Sequence, residues 1–520
     1  MRYTLYMSFA RVHSAQTFAL RGTIINIEVD IARGLHSFSV VGLPDKAVEE
    51  SRDRVGAALK NTGFDSPKHQ NQKVVVSLSP ADLKKEGPLF DVAIALGYLL
   101  ANGTLHFNPE KKLFLGELSL NGDIRPIAGT LLLAQTAYAQ GFTELYVPEE
   151  NAREAALVDG LFVFSVKNLR DLVEHLNEKR TSENTEPKRL VPVPATQIEN
   201  ATTSLGFDFK DVKGQETVKR GLEIAAAGGH NVLMFGPPGT GKTMLARALA
   251  SILPPLGKAH ALEVTGIHST AGILRGEIIS TSPFRAPHHT SSYVSMIGGG
   301  TFPKPGEVTL AHRGVLFLDE FPEFEKRVLE ALRQPLEDRV VSIARAKGSA
   351  LFPSDFILIA AMNPCPCGNY GTKGKVCVCS AHEIARYQKK VSGPILDRID
   401  IGLYVGPVSY ETLARTDGES SKEVQTRITN ARARAEKRFA GSTLTHNREM
   451  SSKDIERYAR LTDEARATLT SGAEKLGLSA RAFHRTIKLA RTIADLAESD
   501  TIASEHILEA LRYRPQIVSQ

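Results

Sequence analysis

A glycine-rich segment in the middle of the chain, Gly236–Thr243, most constrains how this sequence can fold. The apolar run Asn231–Phe235 before it predicts a buried strand, and Met244–Ala250 after it predicts a helix. Strand, glycine-rich loop, Lys-Thr and helix form the layout of a P-loop, in which backbone N–H groups and the helix N-terminus attract phosphate. The predicted nucleotide-binding residues are Gly236, Pro237, Pro238, Gly239, Thr240, Gly241, Lys242 and Thr243.

Two acidic residues end a second apolar strand. The run Gly314–Leu318 is followed by Asp319 and Glu320. In a P-loop site Lys242 reaches the β- and γ-phosphates, while Thr243 and Asp319 support Mg²⁺. Glu320 is placed to polarise the attacking water as a general base. The alternatives without a ligand are a bare glycine-rich turn and a buried strand with acids at its exposed tip.

Two more residues extend the predicted site. The apolar strand Phe356–Met362 ends on Asn363, whose amide suits the orientation of the attacking water, although an Asn at a strand end is more often a turn former. Arg398 follows a Gly-Pro break, and a guanidinium suits the spread charge of phosphoryl transfer. The alternative for Arg398 is a surface ion pair with Asp397 or Asp400, which would contribute little.

The ordered set of motifs resembles the AAA+ ATPases over about residues 204–520. The resemblance implies ATP and Mg²⁺ as cofactors and Asn363 as sensor 1. It also implies that Arg398 is an arginine finger reaching the nucleotide of the next protomer, in a homo-oligomeric ring that is usually a hexamer. In the C-terminal region Arg481 resembles sensor 2, which contacts the γ-phosphate, with Arg485 as the alternative.

Two insertions narrow this resemblance. One is Thr265–Gly300, and the other is Val340–Phe352, whose alternation and Lys-Gly turn predict a hairpin. They look like the branch that includes magnesium chelatase ATPase subunits and MCM-type helicases. Cations on loops facing a ring pore would track DNA phosphates, and Phe284 could stack on a base. The predicted DNA contacts, with ordinary surface charge as the alternative, are Arg345, Lys347, Arg285, His288 and His289.

The N-terminal region is similar to the proteolytic domain of Lon proteases. The similarity rests on Glu86–Asp91, Leu115–Gly129 and Val147–Asn151. Leu89 stands at the position of the Lon nucleophile serine, and Leu131 stands at that of the catalytic lysine. A leucine can neither attack a carbonyl nor accept a proton, so no peptidase activity is expected.

The predicted fold class is a multidomain α/β protein. It comprises an α+β domain at 1–175 that is Lon-like (ribosomal S5 domain 2-like), a linker at 176–203, an AAA+ α/β core at 204–405 and a helical lid at 406–520. With these parts the chain is identified as a member of the YifB/ComM family. That resemblance implies a hexameric DNA translocase, acting on single-stranded or branched DNA, that promotes branch migration in homologous recombination and natural transformation.

Two other functions stay open. One is a magnesium chelatase subunit, against which the Lon-like domain speaks because the chelatase ATPase subunit resembles only the AAA+ part. The other is an ATPase that remodels or regulates proteins, with the Lon-like domain as a binding platform. Stimulation of ATP hydrolysis by DNA would distinguish the translocase from the protein remodeller.

The four cysteines cluster in one short stretch after Asn363. Two thiol pairs across a short polar loop could converge on one tetrahedral Zn²⁺, which would stiffen the loop between Asn363 and Arg398. Their C-x-C spacing is less specific than C-x₂-C, so reduced unligated thiols or a redox pair are the alternatives. The predicted ligands are Cys365, Cys367, Cys377 and Cys379.

Composition adds weaker constraints. The 520 residues are 42% hydrophobic and 23% charged, as in ordinary globular proteins. The net charge of +6 permits a nucleic-acid partner without establishing one. No targeting segment and no membrane span of about 20 apolar residues is apparent, so a soluble cytoplasmic protein is expected. The basic stretch Arg427–Arg438 predicts a solvated helix face.

Overall fold

The computed structural model describes residues 8–178, 189–198, 206–274, 278–300, 303–345, 348–372, 374–414 and 418–515. Contacts between Cα atoms divide the chain into two compact units. The first comprises residues 1–199 with 261–279, and the second comprises 200–260 with 280–520. The first unit therefore extends past residue 175 and takes in part of the predicted insertion Thr265–Gly300. No helix within the described ranges is long and apolar enough to cross a membrane.

A mixed seven-stranded sheet forms the first unit. Strands Phe9–Phe18, Arg21–Arg33 and Gln72–Ser79 pair antiparallel, while the remaining pairings are parallel. Buried positions alternate along Gln72–Ser79, the pattern of a strand with one face on the core. The strands follow one another in the order Ser37–Val41, Gln72–Ser79, Arg21–Arg33, Phe9–Phe18, Lys112–Phe114, Glu144–Pro148 and Phe162–Val166.

Helices pack on this sheet, among them Asp91–Ala101 and Thr130–Ala139. Asp91–Ala101 is buried almost throughout, which explains why its sequence is apolar on every side. A small ladder joins Glu117–Leu118 to Ile124–Arg125. The helices of this unit are Lys46–Glu49, Ser51–Asn61, Asp91–Ala101, Thr130–Ala139, Glu149–Ala155 and Leu169–Leu176, with a 3₁₀ turn at Pro67–Gln70.

The predicted linker is partly built into the first unit. Pro192 forms an antiparallel bridge with Phe164, and Val193 N donates to Val163 O at 2.8 Å. The described residues 189–198 therefore extend the edge of the sheet, while the rest of the linker from 179 onward lies outside the described residues.

The second unit is built on a five-stranded sheet whose pairings are all parallel. Ile357–Met362 is buried at every position because both faces of a parallel sheet are covered. Polar residues at the carboxyl ends of its strands therefore meet at one edge, the usual place for a ligand. The strand order is Phe284–Arg285, Val315–Leu318, Ile357–Met362, Val232–Phe235 and Ile401–Tyr404.

The predicted hairpin is present as an antiparallel pair, Val340–Arg345 with Gly348–Pro353. A second short ladder joins Gly298–Gly299 to Lys304–Pro305. Helix Lys258–Thr270 enters the first unit at residue 261. The other helices between residues 206 and 405 are Glu216–Gly228, Lys242–Ile252, Tyr293–Ile297, Glu307–Leu310, Lys326–Ala331, Arg333–Asp338, Ala381–Gln388 and Gly393–Leu396, with 3₁₀ turns at Phe209–Asp211 and Phe321–Glu323.

The C-terminal region is helical wherever it is described. Its longest helix, Ser421–Arg438, begins with a capping box in which Ser420 and Glu423 satisfy each other's backbone N–H groups. Ser479 caps the helix that carries Arg481 by accepting from Ala482 N. The helices are Tyr410–Leu413, Ser421–Arg438, Ser452–Tyr458, Asp463–Leu476, Ala480–Leu496 and Ser504–Arg512, with a 3₁₀ turn at Asn447–Glu449.

Candidate functional site

Lys242 lies at the centre of the P-loop. Its Nζ donates to the carbonyl oxygens of Gly236 at 2.8 Å and Pro237 at 2.9 Å, and to Asn363 Oδ1 at 3.1 Å. Gly241 adopts φ +87° at the N-cap of helix Lys242–Ile252, a left-handed conformation that favours glycine. Burial lowers the pKa of Lys242, and the nearby Asp319 carboxylate opposes that shift. The structure thus joins the predicted sensor residue to the P-loop lysine.

The predicted Mg²⁺ ligands are in direct contact. Thr243 Oγ1 donates to Asp319 Oδ2 at 3.0 Å. Hydroxyl and carboxylate oxygens are the hard ligands that Mg²⁺ requires, and Mg²⁺ in such sites is completed by phosphate and water. Thr243 and Asp319 therefore fit a Mg²⁺ ion that also binds the phosphates of a nucleoside triphosphate.

Glu320 pairs with His289, a residue that the sequence predicts as a DNA contact. Its carboxylate Oε2 lies 3.0 Å from His289 Nδ1, on the segment that follows the neighbouring strand Phe284–Arg285. Glu320 also has φ +50°, an uncommon conformation for a residue other than glycine, and its N–H donates to Asp319 Oδ1 at 2.9 Å. The predicted base is thus held in a constrained conformation by contacts on both sides.

Arg398 and Arg481 converge on one carboxylate. Arg481 Nη2 lies 3.0 Å from Glu337 Oε1, and Arg398 Nη2 donates to Glu337 Oε2. The hydrogen bond from Arg398 is the main cause of a lowered pKa for Glu337. Arg398 Nε is buried and bonds to no group in the described residues. The two arginines line a cleft of about 520 Å³.

Arg485, the alternative sensor, has a different environment. Its Nη1 donates to the carbonyl oxygens of Leu396 at 3.2 Å and Ile399 at 2.6 Å. These bonds tie the lid helix to the segment that carries Arg398, so the geometry favours a positioning role for Arg485 and leaves Arg481 as the more exposed cation.

The structure rearranges the predicted DNA contacts. Arg285 makes a bidentate pair with Glu307, and both hydrogen bonds are 2.7 Å long. Phe284 stacks on Phe317 of the strand Val315–Leu318, with ring centroids 6.1 Å apart. Both residues belong to a two-residue strand of the sheet and are only partly buried, and their role at DNA stays a prediction. His288 Nδ1 lies 2.8 Å from Thr290 Oγ1 at an exposed position.

On the hairpin, Arg345 ends the first strand opposite Gly348. Lys347, the other predicted hairpin contact, lies outside the described residues. The role of both hairpin cations at DNA therefore stays a prediction.

The four cysteines form one cluster, with all their Sγ atoms within 4.8 Å of one another. The Sγ of Cys365 lies 3.4 Å from that of Cys367 and 3.7 Å from that of Cys377, and the last two are 3.6 Å apart. Four thiolates around one Zn²⁺ at about 2.3 Å would have sulfur atoms about 3.8 Å apart. The cluster therefore has the dimensions of a single tetrahedral metal site, and it includes Cys379.

The two leucines of the N-terminal unit are removed from solvent to different degrees. Leu89 is half-buried against the core of the unit, and Leu131 is completely buried. The backbone N–H of Leu131 donates to Glu154 Oε1 at 2.8 Å, and burial raises the pKa of Glu154.

Comparison with known families places this arrangement in a class. Three family models match: "Magnesium chelatase, subunit ChlI" over residues 208–413, "Subunit ChlI of Mg-chelatase" over 27–151, and "Magnesium chelatase, subunit ChlI C-terminal" over 418–514. The fold and the P-loop site therefore define an AAA+ ATPase of the magnesium chelatase type, a class that implies ATP and Mg²⁺. Because one model covers 27–151, the N-terminal region does not speak against a chelatase relationship, contrary to expectation.

Whole-chain relatives define the family more closely. The chain is 41% identical to "Competence protein ComM" of Haemophilus influenzae, covering 98% of each chain. It is 39% identical to "Uncharacterized protein YifB" of Escherichia coli, covering 98% of this chain and 97% of that one. A partial match, 23% identical over 58% of this chain and 36% of the other, is to "DNA replication licensing factor Mcm6" of Drosophila melanogaster. The chain belongs to the YifB/ComM family.

Proposed function

We propose that this protein is a cytoplasmic, ATP-driven DNA translocase that works as a homohexameric ring and promotes branch migration in homologous recombination and natural transformation. The observation that carries the ATPase part is the contact between Lys242 Nζ and Asn363 Oδ1, which joins the P-loop to the sensor strand. The whole-chain similarity to a competence protein and the partial similarity to a replication licensing factor support DNA as the substrate.

The residues of the chain divide the work of hydrolysis. Lys242 and the P-loop N–H groups bind the phosphates, and Thr243 and Asp319 hold Mg²⁺, which when bound neutralises phosphate charge. Asn363 orients the attacking water, and Glu320 accepts its proton. Because Glu320 pairs with His289, we propose that His289 restrains the base until the ring is engaged.

The neighbouring protomer completes the site. Arg398 and Arg481 share Glu337, whereas Lys242 bonds to the P-loop and to Asn363. We propose that the two arginines act together on the γ-phosphate bound by the next protomer, where delocalised guanidinium charge suits the transition state. Glu337 would then hold both side chains in place until phosphate replaces it.

DNA would be tracked through its phosphates at the hairpin. Arg345 and Lys347 remain the proposed contacts, with His288 as a lesser one, because loop cations bind the backbone without reading sequence. Arg285 also stays a proposed contact, because its bidentate pair with Glu307 uses only part of the guanidinium donors.

We further propose that Cys365, Cys367, Cys377 and Cys379 bind one structural Zn²⁺. The support is the spacing of their sulfur atoms, which matches a tetrahedral thiolate site. Metal analysis of protein purified without chelator should find one zinc per chain, and metal-free protein would refute this part.

The decisive experiment follows branch migration of a labelled three- or four-way DNA junction. The wild-type protein should convert the junction in the presence of ATP, whereas Lys242→Ala and Glu320→Gln should not. ATP hydrolysis should rise with single-stranded or forked DNA, and Lys347→Ala should reduce the rise. A rate of hydrolysis that no DNA changes would instead favour the protein-remodelling or chelatase-type alternative.

A further inference from the structure

The cysteine cluster lies directly against the P-loop. The backbone N–H of Gly368 donates to Cys365 O at 3.0 Å and closes a turn around the first thiol pair. A Cβ built on Gly368 would stand 2.6 Å from Cδ of Pro238, closer than side chains tolerate, and Gly368 has φ +78°. Only glycine can therefore form this turn so close to Pro238 of the P-loop.

A second contact fixes the other end of the same segment. Asn363 Oδ1 accepts from Lys242 Nζ at 3.1 Å. Cys365 and Cys367 thus lie between two contacts with the P-loop, one at Asn363 and one at Gly368. Any change in the conformation of this segment must reach both Pro238 and Lys242.

The far half of the cluster lies on a mostly exposed segment, residues 374–380. Cys377 is flanked by Val376 and Val378, which are 83% and 81% exposed, so hydrophobic burial contributes little there. Cys365 is fully buried, and its Sγ accepts from Tyr370 N at 3.3 Å, a contact that suits a thiolate. A shared metal ion is the link that the geometry offers between the two halves.

We propose that the metal ion held by these four thiolates sets the affinity of the P-loop for ATP. The inference rests on the proposed zinc site and adds a consequence to it. With the metal bound, the segment from Asn363 to Gly368 presses on Pro238 and presents the Asn363 amide to Lys242. Without it, the segment gains conformational freedom, and ATP binding must order it again at a cost in affinity.

The test compares two double variants of the full-length protein. Cys377→Ser with Cys379→Ser removes two ligands on the side away from Pro238, and Val376→Ser with Val378→Ser is the matched control in the same loop. Zinc content is measured by elemental analysis, and affinity is measured with a fluorescent ATP analogue in excess Mg²⁺. We expect the cysteine variant to lose zinc and to bind ATP about tenfold more weakly, about 1.4 kcal/mol, and the valine variant to keep both properties.

The outcomes separate the inference from the zinc proposal. A cysteine variant that lacks zinc but binds ATP like the wild type would overturn the inference and leave the zinc site standing. Wild-type protein without metal would overturn both. Because the cysteine variant could misfold, a zinc-selective chelator is also applied to folded wild-type protein. ATP affinity should fall and then return when Zn²⁺ is added back, and an unchanged affinity counts against the inference.

One more variant tests the contact itself. Gly368→Ala places a methyl group against Pro238 while leaving all four thiols in the chain. We expect zinc to be retained and ATP affinity to fall. Retention of both zinc and full affinity would show that the turn does not act on the P-loop.

Discussion

The two units place different kinds of side chain where the sequence predicts chemistry. In the P-loop unit, polar side chains beyond the carboxyl ends of the parallel strands contact one another, as Lys242 does with Asn363 and Thr243 with Asp319. In the N-terminal unit, Leu89 and Leu131 stand where the resemblance to Lon proteases predicts a nucleophile and a lysine; Leu89 packs against two apolar clusters, and Leu131 is completely buried. The first arrangement can bind and move charge, whereas the second can only contribute packing.

The contrast lies in what each kind of side chain needs. A buried leucine stabilises its unit without any need for a hydrogen-bond partner. Each polar residue of the P-loop site, by comparison, depends on a partner from another element, so the site is sensitive to single substitutions.

Lys242→Ala should have the largest effect. It removes the cation that would bind the phosphates and leaves three acceptors without their shared donor, so ATP hydrolysis should fall about 100-fold or more. Steady-state phosphate release measures the effect. The exposed Lys326→Ala in the same unit is the matched control and should keep the wild-type rate; substantial residual activity in Lys242→Ala would place the site elsewhere.

Arg398→Ala and Arg481→Ala should reduce hydrolysis about 10- to 100-fold while leaving ATP binding nearly intact. The reason is that each arginine is proposed to act on the nucleotide of a neighbouring protomer. Arg466→Ala, at an exposed position of the lid, serves as the control. If the two arginines act as one unit, the double variant will lose little more than either single variant. Loss of ATP binding in the isolated protomer would argue for action within one chain.

His289→Ala should raise basal hydrolysis about fivefold, because removing one hydrogen bond worth about 1 kcal/mol frees Glu320. The measurement is the ATPase rate without DNA, compared with that of His288→Ala, whose ring contacts Thr290 instead. A basal rate that falls in His289→Ala would mean that His289 positions the base rather than restraining it.

Leu89→Ser combined with Leu131→Lys should produce no peptidase activity, the smallest effect of the series. Two substitutions do not by themselves create a catalytic site, and a lysine at the fully buried position of Leu131 costs stability. A fluorogenic peptide assay and thermal unfolding follow the two properties, with Leu131→Met as the volume-matched control. Peptide cleavage by the double variant would show that the N-terminal unit keeps a hidden catalytic geometry.

Much of the nucleotide site was predictable because its signals are local. A strand, a glycine-rich loop and a helix adjoin in the sequence, and the strands ending on Asp319 and Asn363 are continuous apolar runs. Parallel pairing then brings their ends together. The hairpin Val340–Arg345 with Gly348–Pro353 was equally predictable, because alternating apolar residues and a Lys-Gly turn are features of neighbouring residues.

Partner choice was not predictable in the same way. His289 was assigned to DNA with His288, and nothing local indicates that its ring meets Glu320 from an adjacent strand. Arg285 and Phe284 were assigned to an insertion, yet both residues join the sheet. Arg285 pairs with Glu307, and Phe284 stacks on Phe317.

The sequence alone determined which chemical groups are present: a P-loop, two acids after a strand, four thiols in one stretch, and apolar side chains at Leu89 and Leu131. Tertiary structure decided which charged side chains bond to other segments of the fold and which stay in solvent. The basic stretch Arg427–Arg438 was expected to be a solvated face, but Arg432 donates to the carbonyl oxygen of Ala226 and Arg438 pairs with Asp495. A charge pattern along one helix says that cations are present, but only the packing of distant segments brings acceptors to them.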